Sequence, residues 1–262
     1  MEDLMTNPRI LPLEGVENFR DYGGYAVRGG RIRSGQLFRA AHQARATPAD
    51  LVAMSALKLA TVVDLRRPRE RDNDPSLRHD GFSAEVIQCD LGDQTEAPHV
   101  AFLRETDLTP ESARAFFLDY YDKAPFEPRH LELFGRYFAA LAAGAGPVLI
   151  HCTAGKDRTG LLAALTHHIL GVHADDVRED YLLTNVAARV DERLPMITQA
   201  LEKSLGKRPS ETAVRAFLGV DALYLDAAFG SIAARSGSVE AYLDTIGADA
   251  AAREAIRARL IA

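Results

Sequence analysis

Pro147-Val148-Leu149-Ile150-His151-Cys152-Thr153-Ala154-Gly155-Lys156-Asp157-Arg158-Thr159-Gly160 passes from a short apolar run into a tight loop, then into the apolar segment Leu161-Leu162-Ala163-Ala164-Leu165. Val148 to His151 reads as a strand buried on both faces, and a helix is expected to begin near Thr159. A strand that hands over directly to a helix is the building unit of an α/β domain. Upstream, Arg129 to Ala143 reads as a helix stopped by Gly144 to Pro147, and Glu111 to Asp122 as another. Leu59 to Leu65 is a second buried strand, and Glu85 to Cys89 a third candidate. Thr47-Pro48 opens a helix that carries Leu51, Met54 and Leu57 on one face. The Gly- and Arg-rich start, including Gly24 to Val27, Arg31 to Arg33 and Gln36 to Arg39, reads as a small hairpin or meander. Residues 66–71 read as a charged loop, and 92–108 as a polar connection of poor periodicity. Beyond Thr159 the chain looks wholly helical, with stops near Gly171, Gly206 to Ser210, Gly219, Gly230 to Gly237 and Gly247. The expected class is α/β: a mainly parallel central sheet flanked by helices, in one domain over residues 1–262. Residues 171–262 supply a largely helical C-terminal part, one use of which is a lid.

The composition fits that reading. Hydrophobic residues are 47% and charged residues 26% of the 262, the balance of an ordinary globular protein rather than a disordered or fibrous one. The net charge of −6 disfavours nucleic acid or an anionic membrane surface as partner. No apolar run approaches the ~18 residues a spanning helix needs, so no integral membrane segment is expected. Met1 to Gly15 lacks the basic start and apolar stretch of a secretory signal. A cytoplasmic protein is the expectation, with export lacking a cleaved signal as the alternative. Two cysteines, Cys89 and Cys152, are too few for a disulfide framework.

The loop itself carries chemistry. Cys152 and Arg158 flank five residues at the mouth of a helix. A helix N-terminus offers unpaired N–H groups and partial positive charge, and is an anion site by construction. Thr153, Ala154 and Gly155 are small enough for the loop to curl, so that successive amides surround a tetrahedral dianion together with those of Lys156 and Asp157. Arg158 adds a planar two-pronged clamp on two of its oxygens. The same positive field favours the thiolate of Cys152 as nucleophile. The implied reaction is displacement of an alcohol or phenol to give a cysteinyl phosphate, followed by hydrolysis. Thr159 is expected to place its hydroxyl against the sulfur, and His151 to orient the loop. A proton donor for the leaving oxygen is also required; Asp157 is the first candidate and Asp64, at the end of its strand, the second, with support of the loop as the equal alternative for Asp64. No cofactor or metal is called for, because the loop supplies the positive field.

His151-Cys152-Thr153-Ala154-Gly155-Lys156-Asp157-Arg158-Thr159-Gly160 resembles the signature loop of the protein tyrosine phosphatase superfamily, and its Lys-Asp pair resembles the bacterial tyrosine and phosphoinositide branch. Asn18-Phe19-Arg20-Asp21-Tyr22-Gly23-Gly24 is similar to that branch's N-terminal motif, and Asp64-Leu65-Arg66 with Glu70 to its second. Tyr181 to Asn185 and Gly237 to Leu243 resemble its C-terminal helices. The resemblance spans most of the chain. It implies a single phosphatase domain acting on phosphotyrosine, with phosphoserine, phosphothreonine or phosphoinositides as further substrates of such relatives, and it supports Asp157 as the acid. No Trp-Pro-Asp acid loop is present, and the chain contains no Trp.

Gly155-Lys156 is not a nucleotide loop, since Asp157 follows where Ser or Thr would stand and Ile150 occupies the first glycine position. Lys156 is as readily a solvated charge as a ligand for extra phosphate. Cys89 reads as a small core residue, with a redox partnership to Cys152 as the minority reading. His167 and His168 point in different directions on one helix and do not form a metal pair. Asn18 to Gly24 reads as structural. Two other function classes remain: a phosphate-dependent binding module with negligible turnover, and a different loop-cysteine enzyme such as a sulfur transferase or arsenate reductase.

Overall fold

The computed structural model describes residues 7–91, 97–144 and 146–262. Strands β1 (Arg20–Asp21), β4 (Leu37–Ala40), β5 (Thr61–Asp64), β6 (Glu85–Ile87) and β7 (Val148–His151) form one sheet in the order β1-β4-β7-β5-β6. Only the edge strand β1 is antiparallel to its neighbour. Between them lie β2 (Ala26–Val27) and β3 (Gly30–Arg31), a separate two-stranded hairpin. β7 sits at the centre, with Val148 opposite both Leu37 and Thr61, and His151 opposite Ala40 and Asp64.

The two-residue period of a strand divides these side chains between two cores. Leu37, Val63, Val148 and Ile150 enter the larger one, while Phe38, Ala40, Val62 and Leu149 enter the smaller. Each of these side chains except that of Ala40 contributes roughly 1.5–3 kcal/mol on burial. The smaller core is closed by α1 (Pro48–Ala56), whose Thr47 and Asp50 cap each other's backbone. The larger face is covered by α4 (Pro110–Lys123), α5 (Pro128–Ala143) and α6 (Asp157–Leu170), with α2 (Pro68–Asn73) and α3 (Pro98–Glu105) preceding them in the chain. Proline opens each of α1 to α5, where its missing N–H costs nothing.

The C-terminal part is helical as expected: α7 (Ala174–Leu182), α8 (Thr184–Ala187), α9 (Val190–Leu205), α10 (Glu211–Leu218), α11 (Ala222–Ser236), α12 (Val239–Thr245) and α13 (Ala250–Leu260). Leu108, Ala113, Leu194, Ala213 and Val214 form a third, small core joining α4, α9 and α10, with Phe102 of α3 packed on it. No single helix among the described residues is long and apolar enough to cross a membrane.

Several local expectations need correction. Leu37 to Ala40 is no part of a hairpin; it is fully buried and parallel to β7. Arg39 disguises it, because an arginine inside a central strand is tolerable only with a buried counter-charge, here Asp180. Within 66–71, Pro68 starts a helix instead of a loop, with the Glu70 carboxylate accepting from the Arg67 N–H. The 92–108 connection contains α3, while residues 92–96 lie outside the described residues. α6 starts at Asp157, two residues earlier than expected, and Gly230 lies inside α11, where an added Cβ would meet nothing.

Buried histidines make this core acid-sensitive. Burial, helped by the adjacent Arg129, lowers His130 to about 3, and burial lowers His151 to about 4 against the pull of Asp64. Unfolding frees both to bind protons near ~6.5, so the unfolded state holds more protons between those values and stability must fall as pH falls. His151 alone accounts for roughly 3 kcal/mol of lost stability by pH 4. Urea unfolding midpoints measured from pH 7 down to 4 are expected to drop steadily; a flat profile would show the rings to be charged or exposed.

Candidate active site

The carboxyl ends of β4, β5 and β7 meet where β7 hands over to α6, the position at which parallel sheets bind ligands. Cys152 follows the last residue of β7 and is 2% exposed. From Thr153 to Thr159 the backbone amides donate to no acceptor among the described residues; the first bond of α6 runs from Gly160 N to Lys156 O at 2.8 Å. Buried or half-buried N–H groups are rarely left this way outside a ligand site. Gly155 is obligatory in the curl. Its φ is 64°, and a Cβ there would lie 2.3 Å from the Ala40 carbonyl oxygen.

The Arg158 guanidinium is held by its outer edge. Nη1 donates to Glu70 Oε2 at 2.6 Å and Nη2 to Oε1 at 2.8 Å, while Nη1 also reaches Leu65 O at 3.1 Å. Thr153 Oγ1 donates to the same Oε1. Nη2 also reaches Thr153 Oγ1 at 3.4 Å and Nε has no acceptor among the described residues, so the Nε–Nη2 edge, with only that long contact on it, is where a second planar fork could form. Burial opposes charge on Arg158, but Glu70 and the Cys152 sulfur raise it well above its ordinary value. Glu70 in turn is held well below the usual carboxylate range: burial works against it, and Arg158 overrides that.

Asp157 and Arg158 line a narrow cleft with Phe116, Phe117, Tyr120 and His99; Cys152 is not on its wall. The Asp157 Oδ1 accepts from Tyr121 Oη at 3.0 Å. Asp64 is placed differently. Arg66 holds both of its oxygens, at 2.9 Å from Nε to Oδ1 and 2.7 Å from Nη2 to Oδ2, and the carboxylate is 3% exposed. Burial raises it, yet His151 and Arg66 bring it down to about 2. Such a carboxylate supports the loop from below and is badly placed to donate a proton. His151 is fully buried with Nδ1 3.4 Å from Cys152 O and Nε2 3.6 Å from Asp64 Oδ2. The Thr159 hydroxyl is buried and has no hydrogen-bond partner, the sulfur included.

Lys156 corrects both of its sequence readings. It is 6% exposed, and its ammonium donates to Phe217 O at 2.8 Å and Gly219 O at 3.1 Å, over the Phe117 ring at 4.1 Å. It ties the loop to the carbonyl end of α10, where a cation is favoured. Burial lowers its pKa, with Asp157 opposing. Cys89 is buried, free, and donates to Glu132 Oε2 at 3.2 Å. His167 and His168 diverge, one to Tyr22 O and the other to Glu240.

Sequence reasoning missed Glu70 as a site residue, although a lone carboxylate three residues after Arg67 carries the spacing of a capping pair. It also missed Tyr121, for which helical periodicity offers only a core position. Residues 11–262 match the tyrosine phosphatase family. A Cupriavidus necator protein provisionally named as a tyrosine-protein phosphatase is 36% identical over 247 residues, covering 92% of this chain and 85% of its own. The triple specificity protein phosphatase PtpB of Mycobacterium tuberculosis is 32% identical over 280 residues, covering 96% and 99%. A tyrosine-protein phosphatase of Nostoc commune is 32% identical over 161 residues, 61% of this chain and 51% of its own. The match takes in the whole Cys152–Thr159 loop together with the strands and helices that hold it, and the chain belongs to the tyrosine phosphatase family.

Proposed function

We propose that this enzyme hydrolyses phosphate monoesters through a cysteinyl phosphate on Cys152, with phosphotyrosine as its preferred substrate class. The supporting observation is the convergence, at one strand end, of amides without acceptors among the described residues and a guanidinium whose Nε has none there either. Phosphate oxygens would take the amides and the Nε–Nη2 edge, and Cys152 Sγ would attack the phosphorus in line with the leaving oxygen. Asp157, on the cleft wall, would protonate that oxygen. In the second step it would take a proton from the attacking water, and the sulfur would leave with its electron pair. The loop amides and guanidinium supply the charge stabilisation without a metal.

The aromatic walls Phe116, Phe117 and Tyr120 favour an aryl ester. The relative named as a triple specificity phosphatase extends the proposal to phosphoserine and phosphothreonine proteins, and a phosphoinositide is the further candidate. α3 puts Pro98 and His99 on the cleft wall and shares a small core with α9 and α10, so this layer would serve as a lid at the cleft. Lys156 connects that layer to the loop and is no free ligand for a second phosphate in this arrangement.

p-Nitrophenyl phosphate turnover should be lost at least ~10³-fold in Cys152→Ser and in Arg158→Ala. Full activity in Cys152→Ser would refute the covalent route. Asp157→Asn should slow alkyl phosphates by roughly 10²-fold or more and p-nitrophenyl phosphate far less, because that leaving group needs little protonation. Equal losses on both would remove Asp157 from the acid role. Glu70→Gln leaves Arg158 with half its buried partner, and kcat/KM is expected to fall about 10–100-fold with a clear loss of thermal stability. An unchanged rate would mean that Arg158 needs no support.

A further inference from the structure

The Asn18 motif lies far from the loop in sequence and was expected to make turns. Instead Asn18 Nδ2 donates to the carbonyls of Ala154 at 3.0 Å and Gly155 at 2.8 Å. Arg39 Nη2 reaches the carbonyls of Gly155 at 3.1 Å and Lys156 at 3.4 Å. Both side chains are buried, at 1% and 0% exposure. Asn18 itself has φ 57°, a left-handed conformation that asparagine tolerates better than most residues.

Behind them stands a second tier. Asp180 gives Oδ2 to Arg39 Nη1 at 2.7 Å and Oδ1 to Arg20 Nε at 3.2 Å. Arg20 also donates to Asn18 Oδ1, to Asp180 O at 2.9 Å and to Thr184 Oγ1 at 3.1 Å. Every polar end of Asn18 is thereby used: its oxygen by Arg20, its amide by the loop.

A planar trans peptide points its carbonyl and the following N–H in opposite directions. Pulling the Ala154, Gly155 and Lys156 carbonyls outward therefore turns the Gly155, Lys156 and Asp157 amides inward. We propose that Asn18 and Arg39 are positioning residues for catalysis, which clamp three loop carbonyls so that the amides after them face the phosphate; Arg20 and Asp180 hold the clamp. This rests on the phosphatase reading above and adds to it a pair of residues that never touch substrate.

Asn18→Asp tests the clamp with little change in shape, since it keeps the acceptor for Arg20 and replaces the donating amide by oxygen. Orthovanadate, a mimic of the pentacoordinate phosphorus, is the probe, with p-nitrophenyl phosphate kinetics and thermal melting alongside. The expected result is vanadate inhibition weakened about 10–100-fold, with kcat/KM falling in the same proportion, KM changing less, and the melting temperature nearly kept. Asn18→Gly suits the left-handed backbone and serves if the aspartate variant does not fold; it is expected to show the same parallel losses. Wild-type vanadate affinity in a folded variant of either kind would overturn the clamp alone. A wild-type protein that neither binds vanadate nor hydrolyses the ester would overturn the cradle reading, and the clamp with it.

Discussion

Seven consecutive amides, from Thr153 to Thr159, enter the start of α6 without an acceptor among the described residues, and most of the structure around them compensates for that. A loop of this kind has no intrinsic reason to stay curled. Gly155 permits the backward φ and the contact with Ala40. β7, hydrogen-bonded on both sides, fixes where the loop leaves the sheet. α6 is anchored by an almost fully buried body, so its positive end cannot shift relative to that strand. An anion in the cradle would satisfy what the protein leaves open.

Charge is arranged with the same economy. A buried ion without a partner costs several kcal/mol, yet Arg20, Arg39, Arg66, Lys156 and Arg158 all surround this site. Each is matched. Asp180 serves two arginines and Asp64 a third. Glu70 takes only the outer edge of Arg158 and so orients the guanidinium without using it up. Lys156 is neutralised by carbonyls at the end of α10 and by Asp157 at 3.7 Å, which also makes it the connection between loop and helical layer. Any movement of α10 is therefore felt at the loop.

Much of this was legible in one dimension because the information is local. Thr47-Pro48 marks its helix through cap chemistry that involves neighbours three residues apart. Val148 to His151 reads as a strand from four residues. The placement of Leu37 to Ala40 was not legible: Arg39 looks like a surface residue until Asp180, 141 positions away, is brought against it. Glu70 was hidden among arginines for the same reason, since its partner stands 88 positions on. Lys156 looked solvated because nothing near it in sequence announces the carbonyls of Phe217 and Gly219.

The amino-acid order alone determined the strand, loop and helix around Cys152, the presence of nucleophile and guanidinium, and the anion chemistry they imply, because all of these lie within a dozen residues and obey backbone rules. Only the tertiary structure decided which carboxylate holds Arg158, that Asp64 belongs to Arg66, that Lys156 faces a helix end, and that Asn18 and Arg39 grip the loop from behind. Those are choices among like-charged or like-shaped groups, and distance in space, which the chain reveals only when folded, is the quantity that settles them.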